Sequence, residues 1–300
     1  MDESLITKQL KDIGLVVKSI EILKGGQTWI HKYIIKTESE KYVLKANTIW
    51  DHKRLQEQMD IMRKLNEAET ISICPIHDKP IDFKDGCGYV YKFLEGSILS
   101  KLMYQDCRIS SYEYGKFVGK FHNLGKNTIS SKRKTIPWKS TLKTIQRKLK
   151  LVETDIWENR ETELVQSISD ILHNNYDKYQ SVKTHLIHND LHPGNIIVSS
   201  QNKWTIIDMD GLGPGFVAMD LLADYWDKRN AIVTDEFLLG YKSEHELTKN
   251  EINSLPILAL LRVLNSFNYF LSHPQEAYED QLARDIRQIQ LIKDFIGYAM

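Results

Sequence analysis

His188-Asn189-Asp190-Leu191-His192-Pro193-Gly194-Asn195 leads into Ile196-Ile197-Val198, turns at Ser199-Ser200-Gln201-Asn202 and returns as Trp204-Thr205-Ile206-Ile207 before ending in Asp208-Met209-Asp210-Gly211. The two apolar runs, split by turn-forming residues, predict a β-hairpin whose strands are buried. Carboxylates nonetheless bracket it. A carboxylate removed from water without a partner costs several kcal/mol, so such a group faces a cation, a metal or solvent. Pairing of the strands around Ser199–Asn202 brings Asp190 and Asn195 to the end where Asp208 emerges. Two carboxylates and an amide oxygen then converge, a set suited to Mg²⁺, which takes few protein ligands and fills its octahedron with phosphate oxygens and water.

N-terminal to this hairpin the pattern is that of an antiparallel meander. Leu15–Val17, Ser19–Leu23, Trp29–Thr37 and Lys41–Lys45 are rich in β-branched and aromatic residues and are punctuated by Gly25-Gly26 and Glu38-Ser39-Glu40. Between Asp51 and Glu69, Leu55, Met59, Met62 and Leu65 recur at helical steps. Ile71–Ile76 and Gly88–Phe93 read as further strands, and Leu94-Glu95-Gly96 breaks the pattern. Beyond it, Ser111–Leu124, Thr141–Val152, Arg160–Tyr179, Pro256–Phe270 and Gln275–Ile296 read as helices interrupted by the hairpin. The expectation is an α+β chain with a small β-rich lobe, a short hinge and a larger helical lobe.

Composition sets outer limits. At 300 residues and 42% hydrophobic content the chain can bury a substantial core. Forty basic against forty acidic residues give a formal net charge of zero, so no field of one sign spreads over the whole molecule to hold nucleic acid, which leaves room only for a local basic groove. Cys74, Cys87 and Cys107 are too few and too scattered for a disulfide framework or a four-ligand zinc site, and their odd number fits reduced thiols. The acidic start Met1-Asp2-Glu3-Ser4 lacks a signal-peptide pattern, and Arg262, Asn265 and Asn268 interrupt the most apolar late stretch. A soluble cytoplasmic protein without membrane or nucleic-acid partners is expected, its oligomeric state open.

His188-x-Asp190-x-x-x-x-Asn195 followed by Ile206-Ile207-Asp208 resembles the catalytic segment of the aminoglycoside phosphotransferase and choline kinase-like families, small-molecule relatives of protein kinases. Their common form is HGDxxxxN, then ID; here Asn189 stands where glycine is usual. The resemblance implies a bilobal protein kinase-like fold, with residues 1–95 as nucleotide-binding N-lobe and hinge and 96–300 as helical C-lobe carrying the hairpin and acceptor site. It implies Asp190 as the residue that accepts or orients the acceptor's hydroxyl proton, and Asn195 and Asp208 as holders of Mg²⁺ on the phosphates of ATP or GTP. His188 supports the loop; the role of His192 is open.

Other parts of the family pattern fall in order. Lys45 is placed like the phosphate-holding lysine and Glu57 like its ion-pair partner, with Ile61 and Leu65 anchoring that helix face. Gly25 and Gly26 occupy the place of the nucleotide loop, where glycine permits close approach to phosphate, although a plain hairpin turn explains them as well. Phe93 and Leu94, with Glu95-Gly96, resemble the adenine-binding hinge. Gly115–His122 resembles the LGxxLaxLH helix, and Asp220-Leu221-Leu222 the downstream DLA. The implied reaction moves the γ-phosphoryl group to a hydroxyl of a small molecule, with antibiotic resistance among the roles such enzymes serve.

Two other readings compete. Asp208-Met209-Asp210-Gly211 also resembles the nucleophile motif of haloacid dehalogenase-type phosphatases, but that motif opens its fold and continues with Thr, whereas Leu212 follows here. An inactive kinase-fold binding module would have lost its lysine or an aspartate; Lys45, Asp190 and Asp208 are all present. Cationic acceptors such as aminoglycosides or choline call for acidic walls. Asp224, Asp227, Asp235 and Glu236 follow the metal segment, and they suit a solvated helix equally. Trp138, Trp157 and Trp226 could stack on a ligand but more often pack in a core.

Overall fold

Alternation along two neighbouring strands builds the sheet that positions the site. The computed structural model describes residues 3–23, 30–48, 51–84, 86–126, 138–149, 160–175, 182–221 and 235–270. The strands β1 (Ser19–Ile22), β2 (Ile30–Lys36), β3 (Lys41–Asn47), β4 (Ile81–Phe83) and β5 (Gly86–Lys92) form one antiparallel sheet in the order β1-β2-β3-β5-β4. Tyr33 and Ile35 on β2 and Leu44 and Ala46 on β3 face one side, where they join Ile81, Phe83 and Val90 in a core. Lys45 necessarily points the other way, because successive side chains alternate across a strand.

The first helix, α1 (Glu3–Asp12), closes that core with Ile6 and Leu10, both fully buried. Burying each contributes about 1.5–3 kcal/mol. Its spacing of apolar residues at i and i+4 was visible in the sequence, but ten residues with two apolar anchors give too little periodicity to predict a helix. Leu15–Val17 forms no strand, and β1 starts at Ser19. Ile71–Ile76 is likewise not a strand. It is an irregular segment, buried at Ile71–Ile73 and exposed at Ile76, that makes an isolated parallel bridge, Ser72 to Ile206, and an antiparallel one, Pro75 to Tyr91. Pro75 has no N–H to sustain a ladder, which accounts for the difference.

The helix α2 (His52–Ala68) starts at an Asp51 cap that accepts from the Lys53 amide at 2.7 Å. Its buried stripe is Leu55, Gln58, Met59, Met62 and Leu65. Next come β6 (Ser97–Ile98), α3 (Leu99–Tyr104) and α4 (Ser111–Gly125), the last opened by a reciprocal Ser110–Glu113 capping box. The expected hairpin forms as β8 (Ile196–Val198) and β9 (Trp204–Ile206), with β6 added outside β8.

By internal contacts the described chain groups into two units. The first takes in the sheet, α1–α4, the hairpin with its flanks (His188–Gly213) and α8 (Asp235–Lys242). Within it α4 and α8 cross at backbone distance: a Cβ added at Gly115 would lie 2.0 Å from the Phe237 carbonyl oxygen, which is why glycine stands there.

The second unit contains α5 (Trp138–Leu149), α6 (Arg160–Asn174), β7 (His185–Ile187), α7 (Ala218–Leu221) and α9 (Lys249–Phe270), with α9 against α5 and α7. β7 pairs with β10 (Gly213–Gly215). The helix α9 starts seven residues before Pro256, at a Thr248–Glu251 box in which the Thr248 amide donates to Glu251 Oε2 at 2.8 Å. Burial pushes the Glu251 carboxyl up, and hydrogen bonds from His185 and Thr248 more than reverse this, leaving it at about 2. The predicted helix Gln275–Ile296 and Trp157, Asp224, Trp226 and Asp227 lie outside the described residues. The mixed α+β expectation holds, and no helix among the described residues is long and apolar enough to cross a membrane.

Candidate active site

Lys45 leaves β3 on the side away from the core, and its side chain is 1% exposed. A lysine so buried is tolerable only with counter-charges. It has two: its Nζ donates to Asp208 Oδ1 and, at 2.5 Å, to Asp210 Oδ1. A second ammonium, Lys32 Nζ on β2, lies 3.1 Å from Asp208 Oδ2. Two lysines and two aspartates thus neutralise one another. Burial pushes the Asp208 carboxyl up, but the Lys45 and Lys32 ammonium groups outweigh it and hold the group well below its ordinary range. Asp210 is shifted upward, by burial and by the like charge of Asp208, against the pull of Lys45. Tyr89 and Tyr91, buried on β5, are raised by burial and by these aspartates, so both remain neutral hydroxyl-bearing walls.

Backbone geometry presents Asp208. It closes the hairpin in the left-handed region at φ 63°, ψ 51°, which aspartate adopts at less cost than most residues. The same reason explains Asn189 in the usual place of glycine: its φ is 68°, and asparagine is enriched in that region. Gln58 of α2 secures the turn after Asp208, its amide nitrogen donating to the Asp210 carbonyl at 2.8 Å and to that of Leu212 at 3.3 Å.

The loop bearing Asp190 is tied to the same turn. His188, fully buried, donates from Nε2 to the Ile207 carbonyl at 2.9 Å, and the Ile207 amide donates to the Asn195 carbonyl at 2.9 Å. Asn195 Nδ2 donates to the Asp190 carbonyl at 2.9 Å and to Asp190 Oδ2 at 3.3 Å. Tyr114 of α4 holds the loop from beneath through the Leu191 carbonyl at 2.8 Å. The Asp190 carboxylate itself is 58% exposed. His192 accepts the Gly194 amide on Nδ1, which leaves its Nε2–H facing Asp190 Oδ2 at 3.8 Å.

Gly211 seals the join. A Cβ there would lie 2.5 Å from the His188 carbonyl oxygen and 3.0 Å from Asn189 Cβ. Gly211→Ala is therefore expected to destabilise the chain by about 1–3 kcal/mol. Urea unfolding would register this as a lower midpoint at unchanged slope.

The structure gathers Lys45 and Asp208 in one cluster and Asp190 and Asn195 in another, linked by the Ile207–Asn195 hydrogen bond. It does not bring Glu57 to Lys45. Glu57 is exposed on α2, and no hydrogen bond or ion pair joins the two. The reason is helical phase: eight residues from Leu65 Glu57 lies about 80° off the buried stripe, whereas Gln58, seven away, lies only about 20° off. The signal missed was a polar residue on the apolar stripe. Phe93 is half-buried, and its amide donates to the Lys41 carbonyl at 2.9 Å. Leu94, half-buried, lines a cavity of about 230 Å³ with Asn66, Ser72, Cys74, Ile197 and Thr205. Gly25 and Gly26 lie outside the described residues.

Oxygen donors dominate the cluster. Asn195 spends its amide nitrogen on Asp190, so Oδ1 is the atom it could offer a metal; Asp208 and Asp210 retain 28% and 22% side-chain exposure. This donor chemistry fits a hard divalent ion that completes its shell with phosphate oxygens and water. Among the described residues no group of three or more His, Cys, Asp or Glu is arranged to hold a metal.

Among solved structures, a microcompartment-associated aminopropanol kinase superposes with a TM-score of 0.75 at 18% identity, covering 99% of this chain and 98% of that one. The choline kinase LicA from Streptococcus pneumoniae gives 0.68 at 15% identity, covering 97% and 98%. The spectinomycin phosphotransferase APH(9)-Ia, in complex with ADP and spectinomycin, gives 0.62 at 17%, covering 96% and 93%. At such identities the likeness is one of fold. No curated protein matches. The model of the phosphotransferase enzyme family matches residues 20–249, a span that contains Lys32, Lys45, Asp190, Asn195 and Asp208. With that match over most of its length, the chain belongs to the phosphotransferase enzyme family, the small-molecule kinases of protein kinase-like fold that its catalytic segment resembles.

Proposed function

We propose that this phosphotransferase moves the γ-phosphoryl group of ATP or GTP, with Mg²⁺, to a hydroxyl of a small molecule. The observation that carries the reading is the buried Lys45 ammonium held between Asp208 and Asp210 and tied through Ile207 and Asn195 to the exposed Asp190. Its parts match the demands of a loose transition state, which needs charge neutralised and reactants aligned more than covalent help. Lys45 binds phosphate oxygens; at about 4 Å and an effective dielectric near 20 that attraction is about 4 kcal/mol before desolvation. Asp190 takes the acceptor's hydroxyl proton as the new oxygen–phosphorus bond forms, the bond from the γ-phosphorus to the β-phosphate breaks, and nucleoside diphosphate leaves. Asn195 and Asp208 would hold the magnesium ion, which supplies charge neutralisation on the phosphates when bound.

In this reading residues 1–95 form the nucleotide lobe and hinge, with Phe93 and Leu94 at the adenine and Gly25 and Gly26 over the phosphates, and residues 96–300 carry the acceptor site. We assign the acceptor to the amino alcohol and aminoglycoside class that similar folds serve, and the location to the cytoplasm. Melting curves with ATP or GTP and Mg²⁺, followed by nucleotide turnover across a panel of such acceptors, test the reading. Saturating nucleotide at about 100 Kd should stabilise the protein by about 2.7 kcal/mol. No shift with either nucleotide and no acceptor-dependent turnover would reject it.

A further inference from the structure

Lys32 lies outside the family pattern quoted above, yet it shares the Asp208 carboxylate with Lys45. The antiparallel register of β2 and β3 sets Lys32 directly opposite Lys45. Directly opposed residues share a sheet face about 4.5–5.5 Å apart, and like charges so placed repel. Such a pair persists where an anion lies between, and here Asp208 does, one oxygen to each ammonium.

The two lysines differ in what remains if that anion is taken away. Lys45 keeps its direct contact with Asp210, whereas the direct ion pair of Lys32 is with Asp208 and Asp210 reaches it only by longer-range attraction. An Asp208 carboxylate used to hold a cation cannot also saturate two ammonium groups, so Lys32, 19% exposed, must find another anion. Resting on the phosphotransferase reading, we propose that Lys32 is a second phosphate-binding lysine, taking a non-bridging oxygen of the nucleotide's phosphate chain beside Lys45.

Calorimetric titration of ATP and of adenosine into wild type, Lys32→Met, Lys32→Arg and Lys45→Met, with and without Mg²⁺, separates this role from that of a clamp on Asp208. Lys32→Met should weaken ATP about tenfold or more, leave adenosine unchanged, and be largely rescued in Lys32→Arg. Unchanged ATP affinity in Lys32→Met, or equal losses for ATP and adenosine, would overturn the proposal. If Lys45→Met weakens ATP and Lys32→Met does not, this inference fails alone. If wild type binds ATP no better than adenosine, the phosphotransferase reading fails with it.

Discussion

Asp190→Asn is expected to lower kcat by about 10²–10⁴-fold while the nucleotide KM and the melting temperature stay close to those of wild type. The split follows from where Asp190 sits. Its carboxylate is 58% exposed and contributes little to packing, and the hydrogen bond from the Asn195 side-chain amide goes to the Asp190 main-chain carbonyl, which the substitution leaves in place. An amide at this position accepts hydrogen bonds but cannot take up a proton as the acceptor hydroxyl attacks. Steady-state kinetics at saturating nucleotide, with melting curves on the same preparations, would show the pattern. A fall in kcat matched by a fall in melting temperature would instead mark Asp190 as a structural residue.

Asp208→Asn should combine a larger loss of activity with a loss of stability. Turnover is expected to fall at least about 10³-fold, since the carboxylate proposed to hold Mg²⁺ and the partner of Lys45 and Lys32 disappear together. Lys45 then keeps its contact with Asp210, and Lys32 loses its direct ion pair. Removing one member of a buried charge cluster costs about 3–5 kcal/mol. Asp210 is relieved of a like-charged neighbour, which offsets part of that, so a net loss of about 1–3 kcal/mol is expected.

The pH dependence carries the sign. Lys45 and Lys32 hold the Asp208 carboxyl below its ordinary 3.8, so its contribution is fully present above that value and is lost as pH falls through the lower folded value. Denaturant titrations should therefore find the gap between wild type and Asp208→Asn constant near neutrality and closing below about pH 4. A gap that widened in acid would contradict the assigned pairing.

The features readable in the sequence were those fixed by local chemistry. The Ser199–Asn202 turn between apolar runs specified β8 and β9, and Asp190, Asn195 and Asp208 fell at the hairpin's open end. Lys45 was legible through its place at the end of the strand Lys41–Lys45, which resembles that of the family's phosphate-holding lysine. What escaped depended on phase or on partners distant in sequence. Glu57 and Gln58 are adjacent, and only the helix rotation set by packing of Leu55, Met59 and Met62 selects between them. Within the strand Trp29–Thr37 no local signal singles out Lys32, and only the β2–β3 register sets it opposite Lys45. Asp210 could have been a loop cap, and its engagement with Lys45 needed the three-dimensional turn. The apolar run Ile71–Ile76 was read as a strand because burial and β-branching look alike whether or not a ladder forms, and Pro75 was the overlooked contrary sign.

The most direct test is phosphorus NMR of the full chain incubated with ATP or GTP, Mg²⁺ and a panel of amino alcohols and aminoglycosides. The account requires a new phosphomonoester resonance that grows with the nucleoside diphosphate signals, depends on one acceptor, and is absent from Asp190→Asn over the same interval. Nucleotide consumed only to inorganic phosphate with every acceptor, or an ester formed equally by the Asp190 variant, would contradict it.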